Sequence, residues 1–474
     1  MHRRKHHRAY GVIWDEFQSS PALSRIGQGQ SCPAAAKLPD NLMALQSKMR
    51  SCLLSDAGVV QYYTGATDRT KKEDMVTPSD LTGADGQVMV EIPLGWHKYW
   101  YANSKHYHLI SREQFNGANR LDAFYKNDEW VKNRYIGAYE GVLYDVSANR
   151  YTNGLYLSAC SITFINATSV ISCTAYNHPF TRLEVGDKIS ITGTTYNNGT
   201  FTVAVAGDQS ITVSEGLTDE TAGSTVLQTQ KDWSASTGDK LSSVANKTPI
   251  NRGTRASFRA VAKNRGAGWR QQDYDLVSAI QLFYLVEYAS WYSQSMIGAG
   301  LTNFGGTNWL NRSNYNPIEK TGLSNGLGNV SGGVDNGSNA LGSYMSYRGI
   351  ENFYGHVWKW VDGININDRV PYVCNNDTHF ADNTTTNYTF LGVTLADSNG
   401  YQKTLEQIAR GFLPASVGGS SSTYITDYYW QNTGWRVAGL GGSTFNGAYA
   451  GAACWVLYYS SGALNQYIGS RSSW

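Results

Sequence analysis

Two histidines separated by one residue, His106 and His108 in His106-Tyr-His108, are the tightest pair of potential metal ligands in the chain. On a strand, side chains at i and i+2 share a face, so both rings would point the same way and could hold a metal ion. A zinc site needs three or four ligands, and no third His or carboxylate stands at ligand spacing. A structural pair is therefore expected, and no metal site is assigned. His356, in Tyr354-Gly-His-Val-Trp358, reads as a core or turn residue. Asp273 and Asp275 are a carboxylate pair, but they stand where the best helical pattern begins. Acidic side chains there cap the helix and complement its dipole, which accounts for the pair better than glycoside hydrolysis does. The six Cys, at 32, 52, 160, 173, 374 and 454, include no CxxC spacing, so free buried thiols are expected. There is no Walker loop, HExxH, GxSxG or dinucleotide fingerprint. The expectation is a protein that is not an enzyme and needs no cofactor.

Composition points to contact surfaces. Only 16% of the 474 residues are charged, while the chain carries 32 Tyr, 14 Trp and 49 Gly. Tyr supplies amphipathic contact area at low entropy cost, and Gly, Ser and Asn supply adaptable loops. A loop-rich β protein with many turns would share this composition. The net charge of +2 gives no global field for nucleic acid, and none is expected as a partner. The basic run His2 to Arg8 reads as a solvated or docking terminus. No apolar run reaches the length of a membrane span, so no membrane insertion is expected. The basic start is not followed by an apolar stretch, so no export signal is expected.

Four regions follow along the chain. Residues 1–156 contain strand-like runs such as Gln87-Val-Met-Val-Glu-Ile-Pro93 and Lys98-Tyr-Trp-Tyr101. Within them, Leu42, Leu45 and Met49 have helical spacing, which predicts a helix over 41–54. Residues 157–229 change character. Ser161-Ile-Thr-Phe-Ile165, Lys188-Ile-Ser-Ile191, Thr200-Phe-Thr-Val-Ala-Val205 and Ser210-Ile-Thr-Val213 alternate, with turn signals at Asn197-Asn-Gly199 and Gly207-Asp208. This predicts a small antiparallel β-domain inserted into a larger one. Residues 230–270 begin as a polar linker and turn basic at Arg252, Arg255, Arg259, Lys263, Arg265 and Arg270. A phosphate-binding stripe and a helix face that pairs with carboxylates both fit, and the scarcity of interleaved aromatics favours the second. In residues 271–474, Leu276, Ile280, Phe283 and Tyr284 predict a helix over 273–294, closed by Gly298 and Gly300. Gly-, Asn- and Ser-rich loops with few long strands are expected after it.

The densest constellation lies in that last region. Val357, Trp358, Trp360 and Val361 form an apolar run that must be buried. Trp435-Arg-Val leads into Gly441-Gly442, where only Gly bends the backbone without penalty. Tyr467-Ile-Gly-Ser-Arg471 reads as a last strand that pairs back.

These segments resemble the C-type-lectin fold in the branch shared by formylglycine-generating enzymes and phage tropism determinants. Gly355-His-Val-Trp-Lys-Trp-Val361 is similar to that branch's Gly-Asn-Val-Trp-Glu-Trp run. Trp435-Arg-Val with Gly441-Gly442 is similar to its Arg-Val-x-x-Gly-Gly element, and Ile468-Gly-Ser-Arg471 to its closing Ile-Gly-x-Arg. Tyr10-Gly-Val-Ile-Trp-Asp15 and Tyr135-Ile-Gly-Ala-Tyr-Glu-Gly141 look like segments recurring in phage tail proteins. The resemblance implies an α+β class: a C-type-lectin-like domain over 271–474, a small β-sandwich inserted at 157–229, and a mixed N-terminal region for virion attachment.

It also resembles the variable proteins of diversity-generating retroelements, whose C-terminal positions are randomised at adenines. On that resemblance the variable region is about 428–474. Its ligand-binding positions are Gly439, Ser443, Phe445, Tyr449, Ala453, Val456, Tyr458, Tyr459, Ala463 and Tyr467. The structural frame is Trp358, Trp360, Trp435, Arg436, Gly441, Gly442, Trp455, Ile468, Gly469 and Arg471, with Gly447 and Gly451. The implied function is receptor binding at a phage tail-fibre tip, as a homotrimer in the virion. The partners are a bacterial surface protein or glycan and other tail proteins. A purely structural tail protein and a bacterial surface-display protein are the alternatives. The enzymes of the branch need a pair of Cys near the end of the domain, and only Cys454 lies there.

Overall fold

The alternating segments define the architecture. The computed structural model describes residues 9–174, 179–229, 234–303, 319–335 and 343–474. The basic run His2 to Arg8 lies outside them. Strand makes up 37% of the chain and helix 12%. The expected α+β, C-type-lectin-like class is thereby overturned, and the fold is β-rich.

Two sheets are built mainly from the first part of the chain. One has five strands in the order Ser24–Gly27, Tyr10–Asp15, Lys105–Ser111, Trp96–Ala102, Asn119–Arg120. The other has six, in the order Arg270–Gln271, Ser472–Ser473, Asn133–Gly137, Gln87–Pro93, Arg50–Leu54, Val60–Tyr63. The chain's end thus closes into its beginning, with Ile136 opposite Ser473. Arg471 is buried beneath this junction and donates to the carbonyls of Gly137 at 2.7 Å and Glu351 at 2.5 Å.

A nine-stranded sheet holds most of the last region. Its centre is Trp358–Asn367, paired with Trp435–Leu440, which pairs in turn with Trp455–Leu457. Trp358–Asn367 spans ten residues, so the segment expected to be mainly loop carries one of the longest strands. Between the sheets runs α2 (Tyr274–Tyr288), buried at every position. A helix apolar on all sides must be enclosed on all sides. Tyr274 and Trp455 meet with ring centroids 6.0 Å apart.

The predicted helix over 273–294 starts where expected. Asp273 caps it, its carboxylate accepting from the Leu276 amide at 3.1 Å. The helix stops six residues early, at Tyr288, with Ala289 at φ 49°. The reason is tertiary. The last carbonyls are taken by the N-terminal segment: Leu38 N donates to Glu287 O at 2.8 Å and Leu23 N to Ala289 O at 2.8 Å, while Arg25 donates to Val286 O at 2.8 Å. The chain then re-forms a short helix, α3 (Ser293–Ile297). The helix predicted over 41–54 is also corrected. Two 3-10 turns, Asp40–Leu42 and Gln46–Lys48, precede a strand from Arg50 to Leu54. Pairing of Cys52 with Met89 and of Leu53 with Val88 outweighs a weak local helical preference.

Residues Tyr156–Thr229 form a closed six-stranded barrel around its own apolar core, which includes Ile162, Phe164, Ile189, Val203 and Leu227. The basic segment forms α1 (Arg255–Lys263), capped by Thr254. Its arginines are committed to carboxylates: Arg255 to Asp382 at 2.6 Å, and Arg259 to Asp362 at 2.6 Å. Arg270 pairs with Asp377 at 2.9 Å.

Candidate ligand-binding face

Strand pairing decides which side chains share the outer face of the large sheet. In Tyr428–Gln431, Tyr428 and Trp430 point one way and the buried Tyr429 points the other. Tyr401, on Gly400–Leu405, lies directly opposite Tyr428. Trp430 lies opposite Val456, Val456 opposite Gly439, and Gly439 opposite Trp360. One face therefore runs from Tyr401 through Trp430 to Trp360.

Tyr449 covers this face from the loop between Leu440 and Trp455. Its ring centroid is 4.6 Å from Tyr428, 5.4 Å from Tyr401 and 5.8 Å from Trp430. Tyr428 and Trp430 are 4.4 Å apart, and Trp430 meets Trp358 edge-on at 5.4 Å. Phe445 and Tyr467 form a second pair at 4.3 Å. Tyr458 and Tyr459 form a third at 5.7 Å, with Tyr459 against Trp360. Phe445, Tyr449 and Tyr458 are the exposed members.

The loop under these rings is fixed from below. Gln294 donates to the carbonyls of Gly447 at 2.9 Å and Ala450 at 2.7 Å. Gln281 donates to Ala452 O at 2.7 Å, and Gln402 to Ala453 O at 2.8 Å. Asp427 accepts from Ala453 N at 2.7 Å. Among the described residues no cation lies on Asp427, and burial raises its pKa to about 8. Gly441 and Gly442 turn the chain at φ 94° and 83°, and a Cβ at Gly442 would lie 2.6 Å from that of Ala450. A rigid base under adjustable rings suits binding, because little order is lost when a partner docks.

The ten expected contact positions divide. Phe445, Tyr449 and Tyr458 are exposed, and Tyr459, Ala463 and Tyr467 are partly exposed. Gly439, Ser443, Ala453 and Val456 are buried. A Cβ on Gly439 would come within 2.7 Å of Val456, so this position tolerates no side chain without a shift in its neighbour. Among the frame residues, Trp358, Trp360, Gly441, Gly442, Trp455, Ile468, Gly469 and Arg471 are buried, and so is Gly451. Trp435, Arg436 and Gly447 are partly exposed. Tyr401 lies outside the expected region 428–474, while Tyr428 and Trp430 lie within it but not among the ten positions. The alternation of Tyr428 and Trp430 was a readable signal, whereas only strand pairing brings in Tyr401.

The other candidate groups are placed in the body. His106 pairs with Glu16 at 2.9 Å, and His108 stacks on His97 with ring nitrogens 3.0 Å apart. Burial lowers the pKa of His97 to about 4. Among the described residues, no group of three or more His, Cys, Asp or Glu is arranged to hold a metal ion. His356 accepts from the Glu319 amide at 2.8 Å and meets Glu140, which also pairs with Lys359 at 2.9 Å. Burial pushes the Glu140 pKa up, but its interactions with His356 and Lys359 prevail and hold it at about 2. Apart from Glu16, which is partly exposed, these groups are buried. Cys374 and Cys454 belong to different clusters, and burial pushes the Cys454 thiol far above its ordinary range. No helix among the described residues is long and apolar enough to cross a membrane.

No protein-family model matches this sequence, and no curated protein matches it. Among solved structures, the chain is similar to a Major Tropism Determinant P3c Variant. The similarity has a TM-score of 0.20 and 11% identity, and it covers 83% of each chain. Likeness of that size does not establish a shared fold.

Proposed function

We propose that this chain is an adhesion protein of a phage particle, which binds a bacterial surface molecule through the face of Tyr401, Tyr428, Trp430 and Tyr449. The observation that carries this reading is the ring cluster itself: Tyr449 is 42% exposed, yet it packs against three other rings on a hydrogen-bonded base. Binding energy concentrates in Tyr and Trp anchors of this kind. The phage assignment is supported by the sequence resemblance at Gly355–Val361, Gly441-Gly442 and Ile468–Arg471. The protein binds and does not catalyse, and it resides in the virion, its N-terminal region meeting other tail proteins. Assembly as a homotrimer would repeat the face and add avidity.

The test is adsorption of the labelled protein to a panel of bacterial strains, read by flow cytometry. The protein is expected to coat at least one strain. The double variant Tyr428→Ala with Tyr449→Ala should lose more than about tenfold in affinity on that strain. Undiminished adsorption by a folded double variant would end this reading.

A further inference from the structure

A second recess lies away from the residues of that face. It encloses about 590 Å³ between the edge of the five-stranded sheet, α2 and the loop that carries Arg410 and Phe412. That volume lies within the range of pockets that hold small molecules.

Two tryptophans shape its wall. Trp96 and Arg120 are direct partners across neighbouring strands. Trp130 comes from a hairpin, Tyr125–Lys126 with Glu129–Trp130, whose two turn residues Asn127 and Asp128 both have positive φ. The Arg120 guanidinium lies 5.4 Å from the Trp96 ring centroid and 5.1 Å from that of Trp130. The two indoles thus hold it in place. Among the described residues, no carboxylate is within ion-pair distance of Arg120. Trp130 is 45% exposed, so its ring is open to a ligand.

The opposite charge stands two residues away in sequence. Asp122 lines the same recess, and no side-chain or backbone donor among the described residues bonds to its carboxylate. Surrounding protein raises its pKa, although solvent reaches it. Deeper in the recess, Asp275 and Arg410 neutralise each other through two hydrogen bonds of 2.6 and 2.8 Å. Among the described residues, the wall therefore presents a cation with no carboxylate partner, an anion with no hydrogen-bond donor and an open indole.

We propose that this recess binds a neutral hexopyranose unit of a glycan. Sugar hydroxyls both donate and accept, so they can satisfy Asp122 and Arg120 together. The C–H face of a pyranose supplies an apolar plane for the Trp130 indole. An acidic sugar would oppose Asp122, and a cationic ligand would oppose Arg120. A site of this kind is independent of the aromatic face.

The full chain is titrated with the methyl glycosides of glucose, galactose, mannose and N-acetylglucosamine. Methyl glucuronide and alanine are the anionic and zwitterionic controls. Binding is followed by saturation-transfer NMR and tryptophan fluorescence. At least one neutral glycoside is expected to bind. Trp130→Ala and Asp122→Asn should each weaken it about tenfold, with melting temperatures within a few degrees of the parent because both side chains lie at the surface and outside the main core. Tyr449→Ala should leave it unaltered. The proposal is overturned if none of the four neutral glycosides binds, if binding survives both recess variants, if glucuronide or alanine binds more tightly, or if Tyr449→Ala abolishes binding.

Discussion

At the start of α2, Asp273, Lys126, Arg134 and Asp275 are packed into one knot, each with a side chain at most 3% exposed. On the outer face of the large sheet, Tyr401, Tyr428, Trp430 and Tyr449 touch one another with no charged side chain among them. Both regions are clusters of side chains in mutual contact, but they are built for different ends. The ionic knot has every charge answered and nothing left for a partner. The aromatic face has rings with one side packed and the other in water. Charge in this protein positions elements, and uncharged aromatic area is left at the surface. The cations of α1, paired with Asp362 and Asp382, follow the same rule.

The comparison predicts opposite costs. Asp273→Ala removes the cap of α2, strands Arg134 in the core and leaves Lys126 only its longer contact with Asp275 at 3.6 Å. Against the upward push of burial, Arg134 and Lys126 hold the Asp273 pKa well below the usual carboxylate range, so the ionised form is the one the fold depends on. Breaking a buried pair by removing one partner costs about 3–5 kcal/mol. Urea unfolding should show a loss of that size, or no folded protein at all. A loss under about 1 kcal/mol would mean that the knot is not what orders α2.

Protons sharpen the comparison further. His97 is buried and its folded pKa is lowered to about 4 from an ordinary value of 6.5. Between those values the unfolded chain binds the proton and the folded chain does not, so stability falls as pH drops from 6.5 towards 4. The effect amounts to about 3 kcal/mol when complete. Under the aromatic face the sign reverses. Burial raises the Asp427 pKa to about 8 from 3.8, so its contribution is present at low pH and lost as pH rises towards 8. The two slopes oppose each other between pH 4 and 6.5, so the parent's melting temperature should be nearly flat there and fall from pH 6.5 to 8. Asp427→Asn should abolish the alkaline limb and uncover the acid one, and His97→Gln should extend the alkaline fall down towards pH 4. If Asp427→Asn leaves the alkaline limb unaltered, Asp427 is ionised in the folded protein.

On the face itself the expected effects move from stability to binding. Tyr449→Ala should cost less than about 1 kcal/mol of stability, because Tyr449 is 42% exposed. It should cost about 2 kcal/mol of binding if Tyr449 is an anchor. Isothermal titration against the adsorbed surface molecule, once isolated, measures the second quantity. Equal losses in both would erase the distinction between the two regions.

Period-two alternation made the barrel strands legible, from Ser161–Ile165 through Ser210–Val213. The apolar run at Val357–Val361 announced a buried centre. The cap at Asp273 was legible because capping is local chemistry. The end of α2 was not, because it is set by Arg25 and the amides of Leu23 and Leu38, more than two hundred residues away. The same limit applies to the face. Residue types between 439 and 467 marked a surface, but depth is a property of packing. Val456, beside Trp430 on the neighbouring strand, is buried, while Tyr458, two residues on, is in solvent. Tyr401 and Tyr428, 27 positions apart in sequence, become neighbours only through strand pairing.

Tyr458 and Tyr459 give the finest test of where the frame ends and the contact surface begins. They are adjacent in sequence and chemically identical. Tyr458 is 47% exposed and touches Tyr459 edge-on at 5.7 Å. Tyr459 leans on Trp360 at 6.0 Å, and its carbonyl accepts from Val437 N at 3.0 Å. An edge-to-face aromatic contact is worth about 0.5–1.5 kcal/mol beyond its buried area. Tyr459→Ala should therefore lower stability by about 1–2 kcal/mol, and Tyr458→Ala by no more than about 0.5 kcal/mol. Their effects on adsorption should run the other way, with the greater direct loss at Tyr458. If both variants melt like the parent protein, the Trp360 contact is loose and the frame stops at Trp360. If Tyr458→Ala is the less stable of the two, Tyr458 belongs to the frame and the contact surface contracts to Tyr401, Tyr428, Trp430 and Tyr449.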